Sequence, residues 1–94
     1  MIHHLKFNSL EFNLQARRFE LSDAERPTDF EAWCNGSLKG TKLQPYMRIM
    51  EVYCGDHEGR ASVGDYVLKL TNKHYIVINE AMLKKYFEVV YDRP

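Results

Sequence analysis

Ninety-four residues suit one domain, and a hydrophobic fraction of 45% supplies apolar surface for a single core. Thirteen basic and thirteen acidic side chains cancel. That balance argues against a nonspecific nucleic-acid binder, which needs surplus cations to displace counterions, and equally against an acidic mimic of DNA.

The opening Met1-Ile2-His3-His4-Leu5-Lys6 carries no apolar run as long as a signal peptide or membrane span, so cytoplasmic residence is expected. Cys34 and Cys54 are then expected to be reduced thiols that act as small buried hydrophobes. Leu10 to Leu21 reads as a strand, because Leu10, Phe12, Leu14 and Ala16 lie two apart on one sheet face. Phe19 and Leu21 fall in the opposite phase, so a bulge near Arg17 and Arg18 is expected to restore their burial. A helical stripe through Leu10, Leu14 and Leu21 is the competing reading.

Ser22 to Arg26 reads as a connection ending at Pro27. Thr28-Asp29-Phe30-Glu31 has the form of a capping box, with a hydroxyl first and a carboxylate three residues on. Phe30, Trp33 and Cys34 then form the apolar face of a short helix, which Gly36 ends in a left-handed conformation. Ser37 to Pro45 is expected to be loop. Tyr46 to Cys54 is a strand, Gly55 to Gly59 a turn, and Arg60 to Val63 a returning strand. Gly64-Asp65 turns the chain into a strand from Tyr66 to Leu70. Thr71-Asn72-Lys73 reverses it into His74 to Ile78, completing a hairpin. Asn79 caps a short helix through Met82 and Leu83, and Phe87 to Tyr91 is the last strand. The expected fold is α+β: one domain, residues 1–94, with a twisted antiparallel sheet of about five to six short strands and one short helix packed on it.

The order of these elements resembles a family of small, mostly uncharacterised bacteriophage proteins. Leu14-Gln15-Ala16-Arg17-Arg18-Phe19 stands where that family has Val-Ile-Glu-Ala-x-Gln-Phe. Val63-Gly64-Asp65-Tyr66-Val67 matches its Pro-Gly-Asp-Tyr-Ile, and Met82-Leu83-Lys84-Lys85-Tyr86-Phe87-Glu88 its Asp-Ile-Phe-x-x-x-Tyr-Glu. The chain departs from the pattern at Gln15, which replaces an acidic residue, at Val63, which replaces the proline, and at Asn72-Lys73, which replaces a Gly-Glu hairpin tip. The resemblance implies a phage origin and an accessory role, without implying a reaction.

Chemistry-bearing residues are sparse. Cys54-x-x-His57 is one close ligand pair, whereas a structural zinc site usually has two, so Cys34 and His74 do not complete a convincing set. Asp56, His57, Glu58, Ser62 and Asp65 are residue types of an acid–base site, but they are also what turns ordinarily contain. No catalytic residue, metal or cofactor is therefore expected. Arg17 and Arg18 point to opposite faces of a strand unless a bulge intervenes. Either their stems cover apolar surface, or one guanidinium grips an anion. Six tyrosines exceed what so small a core buries with hydroxyls paired, so some belong on the surface. Exposed tyrosine with arginine is the composition of protein-binding hot spots and of platforms that stack on bases.

The residues expected to bind are Arg17, Arg18, Tyr46, Tyr53, Tyr66 and Tyr75. The leading expectation is a non-enzymatic phage accessory protein, in the host cell cytoplasm, that binds and inhibits a host protein of a defence system or of the transcription machinery. Two alternatives stand beside it: a protein that sequesters a nucleotide signal, and an RNA-binding small barrel. Short edge strands with exposed aromatics also invite homodimerisation.

Overall fold

A computed structural model describes the backbone of residues 2–7 and 10–93, and the side chains of residues 15–87. Ile2–Phe7 (β1) and Leu10–Arg18 (β2) pair antiparallel, and the closing strand Phe87–Arg93 (β8) returns to the free side of β1. Tyr66–Thr71 (β6) pairs with β2, and His74–Ile78 (β7) folds back on β6. These five strands form one antiparallel sheet in the order β7-β6-β2-β1-β8. A second sheet is inserted between β2 and β6. In it Ser37–Lys39 (β3), Ile49–Tyr53 (β4) and Glu58–Ser62 (β5) pair antiparallel in sequence order. Three short α-helices, Leu21–Glu25 (α1), Thr28–Cys34 (α2) and Glu80–Tyr86 (α3), and one 3-10 turn, Pro45–Met47, complete the described chain.

The α+β class and antiparallel pairing are as expected, but the strands divide between two sheets and the α-helices number three among the described residues. That division answers the puzzle of phase in β2. Its register with β6 runs unbroken from Gln15↔Lys69 to Arg18↔Tyr66, with no bulge at the arginines. Alternation sends Ala16 and Phe19 to opposite faces, and both are fully buried because both faces are covered. On one face Phe19 joins Phe30, Cys34, Met50, Val52, Ala61 and Val67 under α2 and the three-stranded sheet. On the other, Ala16, Tyr66 and Leu68 pack beneath Leu83 of α3. Full burial of a side chain such as Phe19 or Phe30 contributes about 1.5–3 kcal/mol. The side-chain face expected for Leu10, Phe12 and Leu14 lies outside the described residues.

Local chemistry explains the helix ends. α1 replaces the expected strand end and connection, and Leu21 is exposed on it. Its capping box is acidic at both ends: the Glu20 side chain accepts from the third residue's amide, while Asp23 Oδ2 accepts from Glu20 N at 2.9 Å. The box expected at Thr28 does not form. Pro27 is the N-cap of α2, and Glu31 instead accepts from the Leu38 amide at 2.9 Å, tying α2 to β3. Asn35, not Gly36, takes the left-handed conformation (φ 52°) at the end of α2. Gly36 is needed for a different reason: a Cβ there would lie 2.7 Å from Cys34 Sγ and 2.9 Å from the Glu51 carbonyl. Asn79 behaves as its sequence position implies, accepting from the Met82 amide at 2.8 Å. The Gly64-Asp65 turn also forms, with Gly64 at φ 103° and the Asp65 carboxylate accepting from Ser62 N at 2.9 Å. It clamps the end of β2 through Gly64 N to Phe19 O and Phe19 N to Asp65 O, at 2.7 and 2.8 Å.

Candidate interaction surface

The segment between β3 and β4, expected to be a polar loop running into a strand, carries the most exposed apolar side chains described. Leu43 is 90% exposed, Tyr46 62% and Met47 63%. Pro45 sets the first turn of a 3-10 helix, Pro45–Met47, because its ring fixes φ and its missing amide needs no partner there. Tyr46 therefore sits on a turn and not on a strand, which starts only at Ile49. The loop is internally held: Leu43 N donates to Thr41 Oγ1 at 3.2 Å and Gln44 N to the Thr41 carbonyl at 3.2 Å. Its end is anchored by Arg48. That side chain is buried, and its Nη1 donates to the Ala24 carbonyl at 2.8 Å, near the C-terminal end of α1. The 3-10 turn consequently packs beside α1.

On its other side α1 borders a shallow recess of about 330 Å³, lined by Arg18, Glu20, Leu21, Ser22, Val63 and Gly64. Arg18 Nη1 lies 3.9 Å from Glu20 Oε1, a distance too long for a strong pair, and the side chain is 42% exposed. Arg18 Nε is buried without an acceptor among the described residues. Loop, α1 and recess thus join the apolar Leu21, Leu43, Tyr46 and Met47 to one incompletely engaged guanidinium.

The remaining expected binding residues are not on this surface. Arg17 is a structural cation: its Nη2 reaches Asp29 at 2.7 Å and Asp23 at 3.4 Å, and its guanidinium lies 4.9 Å over the Phe30 ring. Tyr66 and Tyr75 belong to the two cores, 9% and 3% exposed, because each lies on a covered sheet face. Tyr75 ends an edge-to-face column running Phe19, Phe30, Trp33, Tyr75, with successive centroids 5.4, 5.8 and 6.3 Å apart. Its hydroxyl lies 3.4 and 3.3 Å from the Trp33 and Asn72 carbonyls, and its single proton is donated to one or the other. Burial, followed by the nearby Cys34, pushes that hydroxyl above the usual phenol range. Tyr53 is 56% exposed but lies at the end of β4. Leu21, Leu43 and Met47 were not anticipated. The signal for the last two was available: a leucine and a methionine inside a Gly/Pro-punctuated segment have no sheet face to serve.

The acid–base residue types fall in two turns, Asp56-His57 after β4 and Asp65 after β5. The Asp65 carboxylate is spent on its own turn, accepting from the Ser62 amide. Asp56 and His57 pair at 2.6 Å in the exposed turn between β4 and β5, and that hydrogen bond holds the Asp56 carboxyl below its usual range. Among the described residues no three histidine, cysteine or acidic side chains converge on a metal position. Cys34 is buried in α2 and Cys54 is half-buried after β4; burial raises both thiols, Cys34 to about 11. Among the described residues no helix is long and apolar enough to cross a membrane. No protein-family model matches the chain, and neither curated proteins nor solved structures give a match.

Proposed function

We propose that this chain is a non-enzymatic phage accessory protein that docks on a host protein through the loop, α1 and the Arg18 recess, and inhibits its partner. The observation carrying this reading is the cluster of Leu43, Tyr46 and Met47, each more than half exposed on a loop held by the buried Arg48. Apolar side chains of this size on a held loop are costly to expose and suit a partner's pocket. Because the loop is ordered beforehand by Pro45 and Arg48, little conformational entropy is lost on docking. Arg18 supplies a planar donor at the edge of the same patch, suited to a carboxylate on the partner.

The experiment is paired capture from lysate of a bacterial host, comparing the wild-type chain with a Leu43→Ser, Tyr46→Ser, Met47→Ser triple variant. The expected outcome is one partner held in stoichiometric amount by wild type and lost by the variant, with the two thermal midpoints agreeing. Capture that is unchanged in the variant, or absent from both, would refute the assignment.

A further inference from the structure

A second concave site lies where the turn after β4 meets the β6–β7 hairpin. It is a groove of about 440 Å³ whose lining includes His57, Arg60, Leu70, His74, Ile76 and Val77. That volume lies within the usual range for small-molecule sites, about 300–1,000 Å³. Its lining separates into two chemistries. Leu70, Ile76 and Val77 are apolar, and Leu70 and Ile76 remain 43% and 40% exposed. His57, His74 and Arg60 supply nitrogen donors, and no carboxylate belongs to the lining.

Each imidazole is oriented through one nitrogen and free at the other. His57 Nδ1 is bonded to Asp56 Oδ1 at 2.6 Å, and His74 Nδ1 to Thr71 Oγ1 at 3.0 Å. Neither Nε2 has a partner among the described residues. The two rings come from hairpins distant in sequence, and the backbone is shaped to admit one of them. Gly55 adopts φ 109°, and a Cβ there would fall 2.5 Å from His74 Cδ2 and 3.1 Å from its Nε2. Any side chain at position 55 would displace the imidazole. Asp56 is paired with His57, and Arg60 Nε lies 3.7 Å from Glu51, a loose and exposed contact that leaves the guanidinium's other donors available.

We infer that this groove binds a nucleoside monophosphate, with the phosphate held by His57, His74 and Arg60 and the nucleoside lying against Leu70 and Ile76. A phosphate monoester accepts from the Arg60 guanidinium and from an imidazole Nε2–H, His57 serving as such a donor in its protonated form because its Nδ1–H is given to Asp56. The apolar strip gives the heterocycle a dry contact that inorganic phosphate cannot use. This site is separate from the docking surface, and either assignment stands without the other.

The test is isothermal titration of the whole chain with AMP, UMP, adenosine and inorganic phosphate, with a His57→Gln, His74→Gln double variant alongside. At least one monophosphate is expected to bind saturably, and about tenfold or more tighter than adenosine or inorganic phosphate. The double variant is expected to keep its circular dichroism and lose that binding about tenfold, since His57 is 68% exposed and both rings lie at the surface. A Leu70→Ser variant is expected to weaken the nucleotide while leaving the response to inorganic phosphate unchanged. No saturable monophosphate binding at millimolar concentration, or binding the double variant retains, would overturn the assignment. Phosphate binding as tightly as the monophosphates would also overturn it, by removing the nucleoside from the site.

Discussion

Arg48 donates from Nη1 to the carbonyl oxygen of Ala24 across 2.8 Å, joining the exposed loop to α1 through a side chain that is itself buried. No carboxylate pairs with this guanidinium among the described residues, and its Nε has no acceptor there. The cation is stabilised instead by the carbonyl end of a short helix, where the backbone oxygens lack intrahelical donors.

Arg48→Met keeps the apolar stem and removes the donor, leaving the Ala24 carbonyl unsatisfied. The expected loss is about 1–2 kcal/mol of stability, read as a lower urea midpoint with an unchanged slope. Amide exchange should rise in the Thr41–Met47 segment before it rises in β4. An unaltered midpoint and unaltered exchange would show that the loop holds its position without this contact.

Arg17 tests the boundary between binding and architecture. It joins β2 to Asp23 of α1 and Asp29 of α2, and its side chain is only 13% exposed. Asp29 is 84% exposed, so that contact is weakened by solvent, while the Asp23 contact is shielded. Arg17→Met is expected to cost about 1–3 kcal/mol and to leave affinity for AMP unchanged in titration. A variant with wild-type stability and impaired ligand affinity would return Arg17 to the list of binding residues.

Thiol chemistry reports on the core. Burial raises Cys34 from an ordinary 9.0 to about 11, so the folded state holds this proton more tightly than the unfolded chain does. The associated stability is present in full below about pH 9 and is lost as the pH rises through about 11. At pH 8 an alkylating reagent should modify Cys54 first and reach Cys34 only through unfolding. Mass spectrometry of partly labelled protein checks the order. Equal labelling of both cysteines in the native state would contradict the fully buried position of Cys34.

Features closed by a few consecutive residues were legible from the chain alone. Asn79 reaches the Met82 amide and Asp65 reaches the Ser62 amide, each three residues away, so both structures follow from residue type and spacing. The β6–β7 hairpin is equally local: its turn is Asn72-Lys73, within the expected reversal, and a register shift precedes it between Lys69 and Thr71. The acidic capping box of α1 was local too, yet the hydroxyl of Thr28 looked the stronger signal, and Pro27 took its place.

Burial was different, because it depends on which distant element covers a face. Tyr46 and Tyr66 are the same residue type, but one stands on an uncovered turn and the other lies beneath α3. Arg17 and Arg18 are adjacent, and one is enclosed by acids six and twelve residues further along while the other keeps an unsatisfied Nε. Residue spacing carries short-range hydrogen bonding directly. Exposure and ion pairing emerge only after two sheets have closed over the aromatic column between them, since water is excluded by the assembled layers and by no single segment.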